Sequence, residues 1–310
     1  MGYKIRLFLL VASAAIAVVG CQPTAQCPVI EDKVPAGQQK ISIRQLAATL
    51  GLRVSESNHT HVVLKNSANT VMIFTLNGGK LYVNTKPIGE VGPIERKAGQ
   101  IYVPRSLISR IRSAMRSYAP LPKSSTKPSR GRLSGTVVID PGHGGKDPGA
   151  TSVLGFYEKG INLSVALDVA RLLEQRGLTV KMTRTDDYYP ELEERAAIAN
   201  RLNADLFVSI HADSFPKSSR RGYTIYVAKA ASSSSRRAAR AIVRSMSGTG
   251  LNSFGVQTAN YTVLTATRGP AVLVEMGYLS NRREAALLRS SSFQDRLAQA
   301  IADGISDYFD

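Results

Sequence analysis

The 310-residue sequence has no tryptophan, two cysteines and no apolar run long enough to cross a bilayer as a helix. Cys21 and Cys27 are too few for a disulfide framework, which excludes the small disulfide-stapled folds. Aromatic residues make up only 6%, so no stacking platform for single-stranded nucleic acid is conspicuous. Hydrophobic residues at 43% and charged residues at 20% are ordinary for globular domains and exclude collagen, coiled coil and wholesale disorder.

The net charge of +17 is unevenly distributed along the chain. Residues 1–133 hold 19 of the 40 basic residues but only five of the 23 acidic ones, so residues 134–310 are nearly balanced. A basic segment before a balanced domain suits attraction to anionic lipid or to an acidic polymer, and equally a solvated linker without a partner. Because the excess lies outside the balanced part, we predict no nucleic-acid partner.

The first twenty-one residues have the pattern of an export signal. Lys4 and Arg6 precede an apolar run, Leu7–Val19, which is too short to span a bilayer but fits a secretory h-region. The following Gly-Cys resembles a bacterial lipobox, which implies signal peptide 1–20 and lipid attachment at Cys21. We therefore expect an exported protein, lipid-anchored to the envelope membrane and facing the periplasm, with Gln22 favouring the outer membrane. An ordinary signal peptide with an incidental cysteine is the alternative.

Residues 21–133 divide by composition into a tether (21–40), a small α+β domain (41–115) and a basic Pro/Ser linker (116–133). Within the small domain, apolar spacing predicts a helix that ends at Gly51, and a second helix after a strand at 101–104. Strands are predicted at 61–64, 71–76 and 80–83, with a hairpin signal at 77–79. This layout resembles the N-terminal module of copper amine oxidases, which bacterial cell-wall proteins reuse without copper.

Two of the four histidines, His59 and His61, alternate in this small domain. Such spacing places both side chains on one side of a strand. Two imidazoles without a third ligand are more typical of surface residues that bind no metal than of a metal site. We therefore expect them at the surface.

Strands and helices alternate from residue 134 onward. Apolar β-branched runs predict strands at 136–139, 178–182, 205–210 and 271–274, and helical spacing predicts helices from about 161, at 191–202 and at 235–247. This alternation indicates an α/β domain over 134–310, with a mostly parallel sheet covered by helices on both faces. Ligands of such sheets bind at the carboxyl ends of the strands.

Three of the predicted strands end close to side chains that bind metals or transfer protons. His143, His211 and Glu275 follow separate strands, and Glu158 lies just before the predicted helix. Two imidazoles, one carboxylate and an open position form a catalytic zinc site. A second carboxylate that is not bound to the metal can take the proton of the attacking water. The sequence therefore predicts a zinc hydrolase.

Four blocks in order carry a resemblance to a known family: VVIDPGHGGKDPGA (137–150), Glu158, LFVSIHAD (206–213) and PAVLVEMGYLSN (270–281). They resemble the zinc-dependent N-acetylmuramoyl-L-alanine amidases of bacterial cell walls. The resemblance implies that Zn²⁺ is held by His143, Glu158 and His211, and that Glu275 is the general base. It also implies cleavage of the amide between N-acetylmuramic acid and L-alanine in peptidoglycan, for wall remodelling or cell separation. Asp213 departs from the asparagine of many relatives, but that position is not a ligand.

Three matters stay open at this point. Arg195 is a candidate for binding a stem-peptide carboxylate, although an ion pair within the fold is favoured for it. Only one modest helix is predicted between His211 and Glu275, so we expect no plug over the zinc and no need for an activator. A non-catalytic peptidoglycan-binding lipoprotein and a zinc endopeptidase of the stem peptide are the alternative functions.

Overall fold

The computed structural model describes residues 39–57, 60–75, 79–117 and 133–310, which belong to one compact unit. The predicted signal peptide, Cys21, nearly all of the tether and most of the linker lie outside the described residues. So do His59 and two residues of the predicted hairpin turn. None of the described helices is long and apolar enough to span a membrane.

Residues 39–117, here called the N-terminal module, form two small antiparallel sheets with two helices. The five-stranded sheet has the order β2-β3-β4-β5-β6 and the three-stranded sheet the order β1-β8-β7. The first helix starts at a reciprocal Ser42–Gln45 capping box and ends, as predicted, at Gly51 in the left-handed conformation. The elements are β1 (Lys40–Ser42), α1 (Ile43–Leu50), β2 (Arg53–Ser57), β3 (His61–Lys65), β4 (Thr70–Phe74), β5 (Lys80–Val83), β6 (Lys86–Glu90), β7 (Glu95–Lys97), β8 (Gln100–Pro104) and α2 (Leu107–Ser117).

Residues 133–310, here called the C-terminal region, contain a six-stranded sheet with the order β10-β9-β11-β14-β12-β13. The first four strands are parallel, and β12 runs antiparallel to β14. The mixed α/β fold is thus as predicted, with two further strands, β12 and the edge strand β13, that the sequence pattern did not indicate. The elements are β9 (Thr136–Pro141), α3 (Glu158–Gln175), β10 (Thr179–Met182), α4 (Leu192–Leu202), β11 (Leu206–Asp213), β12 (Tyr223–Val227), α5 (Ser233–Met246), β13 (Ser253–Thr258), α6 (Thr262–Thr265), β14 (Ala271–Tyr278), α7 (Arg282–Leu288) and α8 (Ser291–Phe309).

Helices cover both faces of this sheet. Successive strand residues point to opposite faces, so each buried strand contributes side chains to two cores. On β9, Val137 and Ile139 join a core shared with α3, α5 and α8. Val138 between them packs on the other face, in a core that includes Ala199 of α4 and Leu264 of α6. Asp140 follows Val138 on that second face. The strand therefore carries an acidic side chain into the layer beneath α4.

Helix α3 is buried on two sides, which explains why its apolar stripe is unusually wide. One side packs on the central sheet, and Leu163 and Leu167 on another side pack against strands β3, β4 and β5 of the N-terminal module. The module contributes Val63, Met72, Phe74 and Tyr82 to this contact. Every residue of α3 from Glu158 to Ala170 is buried, the polar ones included, so the helix has an interior position.

The expectation that His61 lies at the surface is wrong. Its side chain is fully buried, because it begins the β3 strand whose face packs against α3. Lys80 of β5 is also buried and forms an ion pair with Asp168 of α3. Tyr82 donates a hydrogen bond of 3.0 Å to the same carboxylate. The module is therefore joined to α3 by apolar and charged contacts together.

Candidate metal centre and active site

Strand order brings the predicted site residues to one edge of the sheet. His143 follows β9, whereas His211 and Glu275 are direct register partners on the adjacent parallel strands β11 and β14. Glu158 was expected just before a helix from about 161, but the helix already begins at Glu158. An acidic side chain in the first turn interacts favourably with the helix dipole, which accounts for the earlier start.

The two imidazoles and the Glu158 carboxylate form one cluster. His143 Nε2 lies 3.1 Å from Glu158 Oε2, and His211 Nδ1 lies 3.0 Å from Glu158 Oε1. One donor atom from each of the three residues lies within 4.8 Å of the donor atoms of the other two. Two nitrogens and one carboxylate oxygen at this spacing are a donor set that suits Zn²⁺ and leaves a fourth position open.

Hydrogen bonds fix the orientation of these donors. Asp147 Oδ2 lies 2.7 Å from His143 Nδ1, so the other ring nitrogen faces Glu158. Glu158 accepts hydrogen bonds from Asn162 Nδ2 at 2.9 Å and from the Ala212 backbone N–H at 3.1 Å. Burial alone would raise the pKa of Glu158, but the two imidazoles outweigh burial and hold that pKa far below its ordinary value. Asn162 was missed by the sequence analysis, although it lies one helical turn after Glu158 on the same face.

The backbone around His143 is held in an uncommon conformation. His143 has a φ of 60°, in the left-handed region, and Gly144 follows with a φ of 128°. A side chain at Gly142 would overlap the ring of His211, so only glycine allows the two histidines to approach. Non-glycine residues with positive φ are uncommon and occur at functional sites where the surrounding structure enforces them.

Glu275 is buried beside this cluster. Its side chain has an Oε2 atom that, within the described residues, has no hydrogen-bond partner. Burial, reinforced by the negative charges of Glu158 and Asp213, raises the pKa of Glu275 well above its ordinary value. A buried carboxylate with a free oxygen and a raised pKa is suited to accept a proton near neutral pH.

Arg195 lies in a buried ion pair with Asp140. Their closest atoms, Arg195 Nη1 and Asp140 Oδ1, are 2.9 Å apart, and the Arg195 side chain is 2% exposed. The guanidinium also donates to the backbone oxygen of His143 at 2.9 Å. The pair therefore connects α4 to the loop that carries His143, while a contact between Arg195 and substrate stays a prediction.

An open cavity of about 600 Å³ lies over the cluster. His143, Glu158, His211 and Glu275 line it together with Tyr261, a residue that is 42% exposed. Tyr261 was not singled out from the sequence because it lies in a loop without periodic pattern. Helix α5, the one element predicted between His211 and Glu275, packs through Ile242 into the core beneath the sheet, and strands β12 and β13 and the short helix α6 also lie between the two residues. Helix α5 thus covers the sheet, and its Ile242 is part of the hydrophobic core.

Comparisons with known proteins agree on the C-terminal region. A model of the N-acetylmuramoyl-L-alanine amidase family matches residues 137–307. The probable cell wall amidase LytH of Staphylococcus aureus is 39% identical over 177 residues, which cover 56% of this chain and 58% of the relative. The chain therefore spans less than two thirds of the length of the curated relatives that it matches.

Solved structures give the same result. The catalytic domain of the amidase CwlV from Bacillus (Paenibacillus) polymyxa var. colistinus is 44% identical, with a TM-score of 0.54 over 56% of this chain and 97% of that one. The amidase AmiC2 of Nostoc punctiforme is 37% identical, with a TM-score of 0.52 over 56% and 96% of the two chains. The matched residues contain the three side chains of the cluster and Glu275, and the chain belongs to the N-acetylmuramoyl-L-alanine amidase family.

Proposed function

We propose that the chain hydrolyses the amide between N-acetylmuramic acid and the first L-alanine of the peptidoglycan stem peptide. His143, Glu158 and His211 hold Zn²⁺, which when bound polarises the scissile carbonyl and lowers the pKa of water. The observation that carries the proposal is the pairing of this three-donor cluster with the buried Glu275 in register beside His211. Membership of the amidase family supplies the bond to be cleaved.

Each residue has a defined task in this reaction. Glu275 takes a proton from the attacking water and passes it to the leaving nitrogen, a transfer that its raised pKa favours at neutral pH. Asp147 holds the His143 ring, and Asn162 holds the Glu158 carboxylate, so the donors stay fixed while the substrate binds. The cavity of about 600 Å³ receives the substrate on the side of Tyr261.

The proposal extends to the location of the protein. The signal-like segment 1–20 and the lipobox-like Cys21 support export and lipid anchoring on the periplasmic side of the envelope, with the outer membrane favoured. Peptidoglycan is accessible from that position, where the enzyme takes part in wall remodelling or cell separation. The packing of α5 into the core supports a site that works without an activator.

The test uses the full chain, purified in detergent and incubated with isolated peptidoglycan with and without a zinc chelator. Mass spectrometry and end-group analysis detect free peptides that begin with L-alanine and glycan with intact lactyl groups. We expect both products with the wild type, and neither after chelation or with Glu275→Gln. A general base contributes about 10²–10⁴-fold, so the variant falls close to background.

Two other results would replace the proposal. New amines found only within the stem peptides would identify an endopeptidase. Retention of peptidoglycan by zinc-loaded protein without any product, even on prolonged incubation, would identify a wall-binding lipoprotein. Activity that appears only after a partner protein is added would contradict the open site.

A further inference from the structure

A second buried polar cluster lies where the N-terminal module meets the C-terminal region. It consists of Glu56 and His61 from the module and of Lys159 and Asp187 from the C-terminal region, and we call it the junction cluster. His61 Nε2 lies 3.7 Å from Glu56 Oε2 and 4.0 Å from Asp187 Oδ2. Lys159 Nζ lies 2.5 Å from Asp187 Oδ2 and 3.8 Å from Glu56 Oε1. The side chains of His61, Lys159 and Asp187 are all less than a tenth exposed.

The junction cluster holds the loop that carries His143. Asp187 Oδ1 accepts a hydrogen bond from the Gly145 backbone N–H at 2.7 Å. Lys159 Nζ donates to the backbone oxygen of the same Gly145 at 2.9 Å. Both backbone groups of a residue two positions after His143 are therefore bonded to the cluster. Lys159 also directly follows Glu158, so the cluster is adjacent to two residues of the metal centre.

The module approaches the first turn of α3 closely at this point. A Cβ atom built on Gly160 would lie 2.5 Å from Thr60 Oγ1, nearer than unbonded atoms tolerate. The Thr60 side chain thus lies directly against the first turn of α3, two residues after Glu158. Such close approach of the Thr60 side chain to the helix backbone needs glycine on the helix side.

Three members of the junction cluster, Glu56, His61 and Asp187, also have the donors and the spacing of a metal site. The ammonium of Lys159 already lies against the Asp187 carboxylate and near that of Glu56. A divalent cation among these donors would face the lysine charge at short range. The Lys159 ammonium therefore supplies the positive charge that a metal ion would otherwise bring. The cluster is an ion-pair network that joins the module to the C-terminal region.

We propose that Glu56 and His61 of the N-terminal module are positioning residues for the metal centre. They fix the Lys159–Asp187 pair, and that pair fixes Gly145 and with it the His143 loop. The N-terminal module then helps to position the metal ligands, in addition to any role as a spacer. This inference rests on the proposed function for its turnover readout alone, because zinc affinity and loop protection are measurable without substrate.

The central experiment compares full-length wild type with Glu56→Ala, Glu56→Asp and Asp187→Asn. Zinc affinity is measured by competition with a chelating dye, and hydrogen exchange of the Gly145 amide is measured in zinc-free protein. Loss of a side chain that hydrogen-bonds a metal ligand directly commonly lowers metal affinity 10–100-fold, and the junction cluster acts further out, through Gly145. We expect about tenfold for Glu56→Ala, at least that for Asp187→Asn, and near-complete recovery in Glu56→Asp.

The matched control is Lys86→Ala. Lys86 Nζ bonds Glu174 Oε2 at 2.7 Å, an exposed ion pair that also joins the module to α3 but does not contact the junction cluster. We expect zinc affinity and Gly145 exchange within about twofold of wild type in this control. Turnover adds a third readout: kcat should fall with Glu56→Ala while KM stays unchanged, because Glu56 acts through Gly145 and not on the substrate.

Two results would overturn the inference. In the first, Glu56→Ala and Asp187→Asn leave both zinc affinity and Gly145 exchange at the wild-type level. In the second, the wild type binds two zinc ions and Glu56→Ala loses one of them, which would make the junction cluster a metal site. If peptidoglycan is not cleaved by the wild type, the proposed function fails, but the affinity and exchange results still decide the positioning role.

Discussion

Arg195 Nη1 lies 2.9 Å from Asp140 Oδ1, and neither side chain is more than 2% exposed. Burial alone would raise the pKa of Asp140, but the Arg195 charge and hydrogen bonds from Ser209 and Thr183 outweigh burial and keep that pKa below its ordinary value. Asp140 is therefore charged and fully compensated inside the fold. Because Arg195 also bonds the His143 backbone oxygen, the pair stabilises both the sheet and the site loop.

Removal of one partner should reveal how much this pair matters. Arg195→Leu leaves the Asp140 carboxylate buried without its counter-charge, which typically costs about 3–5 kcal/mol in the free energy of unfolding. Urea denaturation measures the loss, with the exposed Arg201→Ala on the same helix as a control that should stay within about 0.5 kcal/mol. A loss below about 1 kcal/mol for Arg195→Leu would show that the pair is not a stability determinant.

Glu275→Gln should stabilise the zinc-free protein, although it lowers the activity close to background. The raised pKa of Glu275 means that its charged form is disfavoured in the folded, zinc-free protein, mainly through burial. Wild type therefore loses stability as pH rises from the ordinary carboxyl pKa through the raised one, whereas glutamine does not titrate. At neutral pH the zinc-free variant should be more stable by about 1–3 kcal/mol, because each unit by which burial raises the Glu275 pKa costs the wild type about 1.4 kcal/mol.

The pH dependence gives this prediction its control. At pH 4, below the ordinary carboxyl pKa, the folded wild type and most of the unfolded wild type hold the Glu275 proton, so the difference between the two zinc-free proteins should largely vanish. Urea midpoints at pH 4 and pH 7.5 provide the comparison. Equal stabilities of the two proteins at pH 7.5 would mean that the pKa of Glu275 is not raised in the folded state.

Local pattern predicted most of the elements that position the site. Apolar β-branched runs identify β9, β11 and β14 because these strands are buried on both faces, and the polar residue that ends each run marks the carboxyl edge. His211 and Glu275 thus meet because their strands are neighbours in the parallel sheet. Strand β13 escaped prediction because it is an edge strand without a buried residue, so burial does not impose a continuous apolar pattern on it. Strand β12, in contrast, lies between β14 and β13 with four of its five residues buried, and its β-branched and aromatic residues are a strand signal that could have indicated it.

The packing of the module on α3 was beyond what the sequence alone indicates. A wide apolar stripe on α3 shows that more than one face is buried, but not which partner covers it. The burial of His61 and its approach to Asp187 depend on residues 126 positions apart, and no local spacing encodes such a contact. Long-range ion pairs of this kind form only when the chain folds, so they leave no local pattern in the sequence.

Loss of one metal ligand should remove the effect of zinc on stability. A ligand that binds only the folded protein stabilises it by about 2.7 kcal/mol when its concentration is 100 times the Kd. Wild type should therefore show a higher urea midpoint with zinc than with chelator, and His143→Ala should show the same midpoint in both. Lys146→Ala, an exposed residue on the same loop, is the control that keeps the zinc effect. A zinc-dependent midpoint in His143→Ala would remove His143 from the ligand set.

Gly160→Ala should destabilise the protein although it lies within a helix. Alanine in place of a helical glycine ordinarily raises stability by about 0.5–1 kcal/mol. Here the new methyl group would lie 2.5 Å from Thr60 Oγ1 and 2.7 Å from Thr60 Cβ, so the module must move away from α3. We expect a loss of about 1–3 kcal/mol, the usual cost of overpacking a core. Urea denaturation of the full chain measures it.

Two comparisons separate this effect from a general intolerance of alanine. Gly248→Ala adds a methyl group where nothing lies within 4 Å, so it should be neutral or mildly stabilising. The double variant Thr60→Gly with Gly160→Ala removes the atoms that the methyl group would meet and should recover part of the loss. If Gly160→Ala proves stabilising by itself, the first turn of α3 and the module are not in close contact. In that case the junction cluster could not hold the His143 loop through the module, and the positioning role of Glu56 would fall with it.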